Sequence, residues 1–418
     1  MAAATPDRLA SPAMRRSRPL ALAALLPLAL LAGACGGDDD DGGDAARTVF
    51  GGGSGGSGGL DTVSGALATL PAGGSDSGGS DSDGPDSGGS DSGDVETIGW
   101  GDLERAAEIA QLEVPDAADS DAVVDYVQVL TNGRVDADTA SPVLVLPPTD
   151  AGAERIAEIE DFTAEVGWNV LDVARFVERQ TVPDTLTVIE GSIEEGALTE
   201  AMGDPVADGL WAAGDPEAED FETDLDGITA ARPLGQTLWM GFDGDLLRVA
   251  RSRATAERAA SLEGGTLADD EVYAGLAAGL DEAEVYGALL VAPGMPMDAA
   301  GGIRSPEQAE RACQEALPQA TSGVATGIAE DGGPVYVVTL AHDAPDAAEA
   351  NAAAIEQIVT EGTSLVSGQA WSDLVTLDGV EVTGDGQVVV ARLRPVESGP
   401  PALWYQMVVQ RDSLVTSC

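Results

Sequence analysis

Lysine is absent. All 20 basic residues of this 418-residue chain are arginines, which removes every chemistry built on a lysine: the P-loop, the kinase ATP site, the pyridoxal Schiff base and the Ser-Lys dyad. Histidine occurs once and cysteine three times, so a four-ligand zinc site of His and Cys is excluded by count as soon as one of these cysteines is spent elsewhere. Positive charge is scarce as well. The 73 acidic residues leave a net charge of −53, which excludes nucleic acid as a partner, because affinity there comes from cations that neutralise phosphates. An anionic membrane surface is repelled for the same reason. No apolar run reaches the roughly 20 residues that span a bilayer.

The apolar stretch that does occur is an address. Arg15, Arg16 and Arg18 form a basic region after Met14, and Leu20 to Ala34 follow as LALAALLPLALLAGA, interrupted by Pro27. This order is that of a secretory signal peptide. It ends in Leu31-Ala32-Gly33-Ala34-Cys35, which resembles the lipobox of bacterial lipoproteins in its looser actinobacterial form, with Ala32 where leucine is commonest. The resemblance implies that the Cys35 thiol is diacylated and becomes the first mature residue. Two acyl chains would then anchor the protein to the extracytoplasmic face of the cell membrane.

With Cys35 spent on lipid, Cys313 and Cys418 remain as an even pair in an oxidising compartment, and a disulfide between them is predicted. It would close about 105 residues, for which the chain-entropy relation gives about 4–5 kcal/mol.

Four segments are expected. Residues 1–34 are the signal peptide. Residues 35–97 combine the lipidated cysteine with a disordered stalk: 20 of the 53 glycines lie between 36 and 97, and Gly-Gly-Ser-Asp-Ser occurs three times. The stalk resembles in composition the serine-aspartate stalks of bacterial surface adhesins, and as a random coil it would span about 40–45 Å. A helical segment and a first α+β half occupy 98–300, and a second α+β half occupies 301–418.

Periodicity near 3.6 predicts helices over 102–112, 121–130, 153–162 and 170–178. Thr185–Glu190 alternates as a strand, and Ser192 with Glu195 forms a capping box before a helix to Met202. Asp243-Gly244 turns a hairpin within 237–252. Helices at 255–262 and 269–280 lead to a strand at 284–292. Ser305-Pro306-Glu307-Gln308 opens a helix carrying Cys313. Strands at 323–329 and 334–342, a helix at 346–359 and a hairpin over 380–393 follow. The order strand, helix, hairpin therefore recurs at 185–252 and 334–393. The pattern predicts an α+β fold of antiparallel sheets with helices on one face, with an internal duplication after a helical N-terminal segment.

The globular part resembles a loose class of uncharacterised actinobacterial exported proteins. Trp168 to Phe176, leading into a strand, and Leu267-Ala-Asp-Asp270, opening a helix after a hairpin, carry the resemblance over about residues 165–292. It implies no activity.

Chemistry is thinly marked. His342 stands beside Asp343 where a strand ends and is read as an exposed histidine; as a general base oriented by Asp343 it would have Ser or Thr nucleophiles available, but no triad spacing supports that role. Glu222, Asp224 and Asp226 with Gly227 resemble the start of a calcium loop, but Pro233 occupies the position of its bidentate glutamate. Trp211, Trp239, Trp371 and Trp404 suit core packing better than a sugar or peptide groove. No cofactor is called for. The sequence thus predicts a lipid-anchored surface lipoprotein of the cell envelope, acting as a non-enzymatic binding or interaction module on an envelope protein or glycan. A cell-envelope hydrolase and a structural envelope protein are the alternatives.

Overall fold

A computed structural model describes residues 60–72, 96–132, 145–151, 153–181, 183–262, 265–294, 313–396 and 402–417. The signal peptide, Cys35, most of the stalk, the helix opening at Ser305 and Cys418 lie outside them. In chain order the elements are α1 (Val63–Leu67), β1 (Glu96–Asp102), α2 (Leu103–Ile109), α3 (Ser120–Asn132), α4 (Ile159–Val166), β2 (Val173–Thr181), β3 (Asp184–Gly191), α5 (Glu195–Met202), β4 (Leu210–Ala213), β5 (Leu238–Phe242), β6 (Leu246–Ala250), α6 (Arg253–Ser261), α7 (Glu271–Glu282), β7 (Gly287–Ala292), β8 (Gly323–Glu330), β9 (Pro334–Ala341), α8 (Pro345–Glu361), β10 (Val375–Thr383), β11 (Val388–Pro395) and α9 (Leu403–Val409).

All eleven strands join one antiparallel sheet in the order β10-β11-β9-β8-β7-β1-β2-β3-β6-β5-β4. The α+β class is as expected, but the helices cover both faces of the sheet, where one face was predicted. Along β9, Tyr336, Val338 and Leu340 enter one core with residues of α2, α3, α4, α5, α8 and α9. Val335, Val337 and Ala341 enter a second core with α1, α6 and α7. Period-2 geometry sends neighbouring residues to opposite faces. A strand covered twice must therefore be apolar throughout, which is why GALLVA, GVATGIA and PVYVVTLA show no alternation.

The duplication is present in the topology. From the centre outward, one half runs β1-β2-β3-β6-β5 and the other β7-β8-β9-β11-β10. Each half inserts a helix, α5 or α8, after its third strand, and both helices contribute to the same core. α1 precedes β1 as α7 precedes β7, and the two share the opposite core. The second copy therefore opens at β7, upstream of residue 301. The halves meet along β1 and β7, where Ile98 faces Leu290 and Gly101 faces Gly287.

Three predicted elements change. The segment Val170–Glu178, read as a helix, is mostly strand β2. A bulge shifts the register between Val173 and Arg175, so Val173 and Phe176, three residues apart, enter the same core. The inserted residue thus imitates a helical spacing. The stalk also loses residues 60–72 to the fold: Leu60, Val63, Ala66, Leu67 and Leu70 are 0–1% exposed. Fully burying such a side chain is worth about 1.5–3 kcal/mol. Polar contacts fix the segment in place. The side chain of Asp281 in α7 accepts the Val63 and Ser64 N–H groups at 2.8 and 3.2 Å. Glu190 accepts from Leu60 N at 3.1 Å and Arg179 donates to the Pro71 carbonyl at 2.6 Å. Finally, β1, assigned in part to the stalk, is central to the sheet.

Candidate functional site

The predicted site residues do not converge. His342 is buried, 4% exposed, where an exposed strand end was expected. Asn351 on α8 donates to its Nε2 at 2.8 Å, and its Nδ1 lies 3.3 Å from the Gln387 carbonyl. The same Asn351 amide also donates to Gln319 O at 2.9 Å and accepts from Gln319 N at 3.0 Å. That bonding fixes Nε2 as an acceptor and places the proton on Nδ1. Burial holds the imidazole pKa below its ordinary value. With both nitrogens engaged, His342 ties β9 to α8 and to the turn before β11, and no nitrogen is left to act as a base.

Asp224 accepts the Asp226 N–H at 3.1 Å, and Glu222 accepts the Glu219 N–H at 3.3 Å. These carboxylates shape a loop; among the described residues no group of three metal-ligating side chains assembles. The four tryptophans are 0–2% exposed and belong to the cores. Cys313 is disulfide-bonded. Its predicted partner, Cys418, lies outside the described residues; Ser417, next to it in sequence, pairs with Leu317.

Two features were missed. The first is a buried polar cluster. Glu178 of β2 stands opposite Thr187 of β3 and is 6% exposed. Its Oε2 accepts from Thr149 N at 2.8 Å, Thr149 Oγ1 at 2.6 Å and Thr187 Oγ1 at 3.1 Å, while Oε1 accepts from Gln180 at 2.6 Å. Asp150, 7% exposed, accepts from Arg251 at 2.9 Å through Oδ1; its Oδ2 has no hydrogen-bond partner among the described residues. Burial and, after it, the Asp150 charge push the Glu178 carboxyl up, against the donors from Thr149 and Gln180. A buried carboxyl beside a second carboxylate favours retention of a proton. The cluster can bind a proton and brace the 149–151 turn on the sheet, but it is sealed against a substrate. A glutamate within an apolar strand, Phe176-Val-Glu178, was the legible signal.

The second feature is the connection from β4 to β5. Over 215–236 it carries seven carboxylates, Asp215, Glu217, Glu219, Asp220, Glu222, Asp224 and Asp226, against the single Arg232. Glu165 at the end of α4 pins it, accepting from Thr229 Oγ1 and Arg232 Nε, both at 2.7 Å, and from Ala231 N at 3.2 Å. Asp220 accepts from Arg253 N, at the start of α6, at 2.9 Å. Gly235, at φ +68°, passes so close to the Asp224 carbonyl that a Cβ there would overlap it. Leu225, Ile228 and Leu234 are nevertheless 71%, 45% and 47% exposed. Single exposed aliphatics are ordinary, but three in one pinned loop form an apolar patch of the kind that marks an interaction site. The DGITAARPLG run reads as an ordinary turn-rich loop, so only burial reveals the patch.

Among the described residues no helix is long and apolar enough to cross a membrane. No family model matches the chain, and no match was found among curated proteins or among solved structures.

Proposed function

We propose that the protein is a lipid-anchored extracytoplasmic lipoprotein acting as a non-enzymatic interaction module of the cell envelope, with the β4–β5 connection as its contact surface. The observation that carries this reading is the exposure of Leu225, Ile228 and Leu234 on a loop held in place by Glu165 and Asp220. A loop fixed at several points cannot fold its aliphatics inward, so the patch is presented whether or not a partner is near. The hydrolase alternative called for a free base or an accessible carboxylate pair. His342 has both nitrogens bonded, and Glu178 and Asp150 are buried. Sugar platforms are commonly aromatic, and the six tryptophans are at most 3% exposed.

Anchoring at Cys35 would keep the module at the outer face of the membrane. The Cys35→Ala chain is expected to appear in the medium; retention in the membrane fraction would remove the anchor from the proposal. The contact surface is tested by a photo-crosslinking residue at position 225 in cells, with the same residue at the exposed Glu381 of edge strand β10 as control. A discrete adduct from position 225 that the control lacks supports the reading. Equal labelling from both positions counts against it.

A further inference from the structure

The two copies of the fold differ in length where the patch lies. From α8 the chain reaches the start of β10 in 13 residues, 362–374, whereas 35 residues, 203–237, separate α5 from β5. The excess supplies β4 and the acidic connection. Irregular connections of this length are uncommon in compact domains, and those that are held rigid commonly serve recognition. Here the rigidity is visible in the bonds to Glu165, in the Gln236 Nε2 bond to the Phe221 carbonyl at 3.1 Å and in the Thr237 Oγ1 bond to the Asp215 carbonyl at 2.9 Å.

The chemistry of the surface specifies what fits it. Three aliphatic side chains stand among seven carboxylates, and the loop's one cation, Arg232, is already engaged by Glu165 at 2.7 Å. An apolar partner without charge would leave those carboxylates at the rim without a counter-charge and would gain none of the electrostatic complementarity that steers association. An acidic partner would be repelled by the loop and by the −53 of the whole chain. We infer that the β4–β5 connection binds a cationic amphipathic polypeptide segment, with aliphatic residues seated on Leu225, Ile228 and Leu234 and with Lys or Arg side chains flanking them to meet the carboxylates. The recognition is that of an apolar stripe with a basic border. The chain's negative field adds long-range attraction that falls with ionic strength.

This inference rests on the patch being a contact surface and adds the class of partner. It is tested with a fluorescent 18-residue peptide of alternating Lys and Leu at helical spacing, titrated with the purified full chain and followed by anisotropy. Oligolysine of equal charge and a Glu/Leu peptide with the same apolar pattern serve as comparisons. The Lys/Leu peptide is expected to bind at 50 mM salt, to weaken at least tenfold at 500 mM, and to weaken at least tenfold in the Leu225→Ser/Ile228→Ser/Leu234→Ser chain. Because the three side chains are exposed, that variant keeps its unfolding midpoint, which circular dichroism checks. Oligolysine binding as tightly as the Lys/Leu peptide would reduce the effect to bulk charge and overturn the inference. Binding unchanged by the triple substitution would do the same. Equal binding of the Glu/Leu and Lys/Leu peptides, lost in the triple variant, would overturn the partner class while leaving the contact surface standing. A position-225 crosslink no stronger than the control would remove the surface itself.

Discussion

The two halves of the sheet share a strand order and differ in what they bury and what they display. In the half built on β1, β2, β3, β6 and β5, inward positions of β2 and β3 hold Glu178 and Thr187. Near the corresponding hairpin of the other half stand Ile328 and Tyr336, both in the apolar core. The first half also carries the extra strand β4 and its acidic connection. The second half has buried polar links of its own, His342 with Asn351 and Gln319 and Asp412 with Ser364 and Ser413, and carries the disulfide-bonded Cys313. The shared part is what any twice-covered antiparallel sheet needs: apolar strands and helices laid over them. The unshared part is where a fold without further demands would have stayed apolar or short, and it therefore locates function better than the shared part does.

The largest effects should test whether the halves are thermodynamically one body. Trp168, whose Nε1 reaches Met240 Sδ at 3.5 Å, and Trp371, which donates to Ser413 Oγ at 2.8 Å, are both fully buried, one in each half. Replacing either by alanine should cost about 3–5 kcal/mol. Since β1 and β7 join the halves without a break, guanidinium unfolding should show a single transition displaced in both variants. Two transitions, each moved by its own substitution, would divide the molecule.

Next in size is α1. Leu67→Ala should cost about 2–5 kcal/mol by cavity formation; a residue of an unstructured stalk would cost nothing. Denaturant midpoints separate these outcomes.

The buried polar groups should set the halves against each other in pH. Glu178 has a folded-state pKa raised by burial and by Asp150. Its contribution to stability is whole below the ordinary glutamate value and is lost as pH rises through the raised one. Asp150→Asn, which removes the neighbouring charge, should therefore flatten that slope, on top of a pH-independent loss from breaking the ion pair with Arg251. His342 is lowered by burial, so its contribution is whole above the ordinary histidine value and is lost as pH falls through the lowered one. Asn351→Ala should cost about 1–3 kcal/mol at pH 8, because it strands Gln319 and the imidazole. Its deficit should shrink toward pH 5, where the wild type already loses the histidine contribution. Midpoints measured from pH 5 to 8 report both; slopes of the same sign in the two halves would contradict the assignments.

The smallest effect belongs to the patch. Leu225→Ser with Ile228→Ser and Leu234→Ser should change stability by less than about 0.5 kcal/mol per site. A larger loss would mean that these side chains support the fold and do not serve a partner.

Local signals in the sequence located the elements whose cause is local. Asp243-Gly244 turns β5 into β6, with Gly244 at φ +99°, and Asp385-Gly386 marks the turn between β10 and β11. Asp270 caps α7, accepting from Val272 and Tyr273 N–H groups at 2.9 and 3.2 Å. Where the cause is distant, the reading failed. The bulge in β2 depends on its pairing with β3, so the spacing of Val173 and Phe176 imitates a helix. α1 is five residues in a glycine-rich stretch, too short to be helical by itself, and it is fixed by Asp281, Glu190 and Arg179, all more than 100 residues away. His342 looks exposed beside Asp343 because nothing nearby in sequence announces Asn351 or Gln387.

The sequence by itself determined the charge, the lack of lysine chemistry, the class of fold and the order of most elements, since composition and periodicity act within a few residues. Tertiary structure decided that one sheet is covered on both faces, that residues 60–72 belong to the fold, that both nitrogens of the single histidine are engaged and that Leu225, Ile228 and Leu234 stay exposed in one loop. These are questions of which surfaces are removed from water, and burial is settled by contacts between segments far apart in the chain.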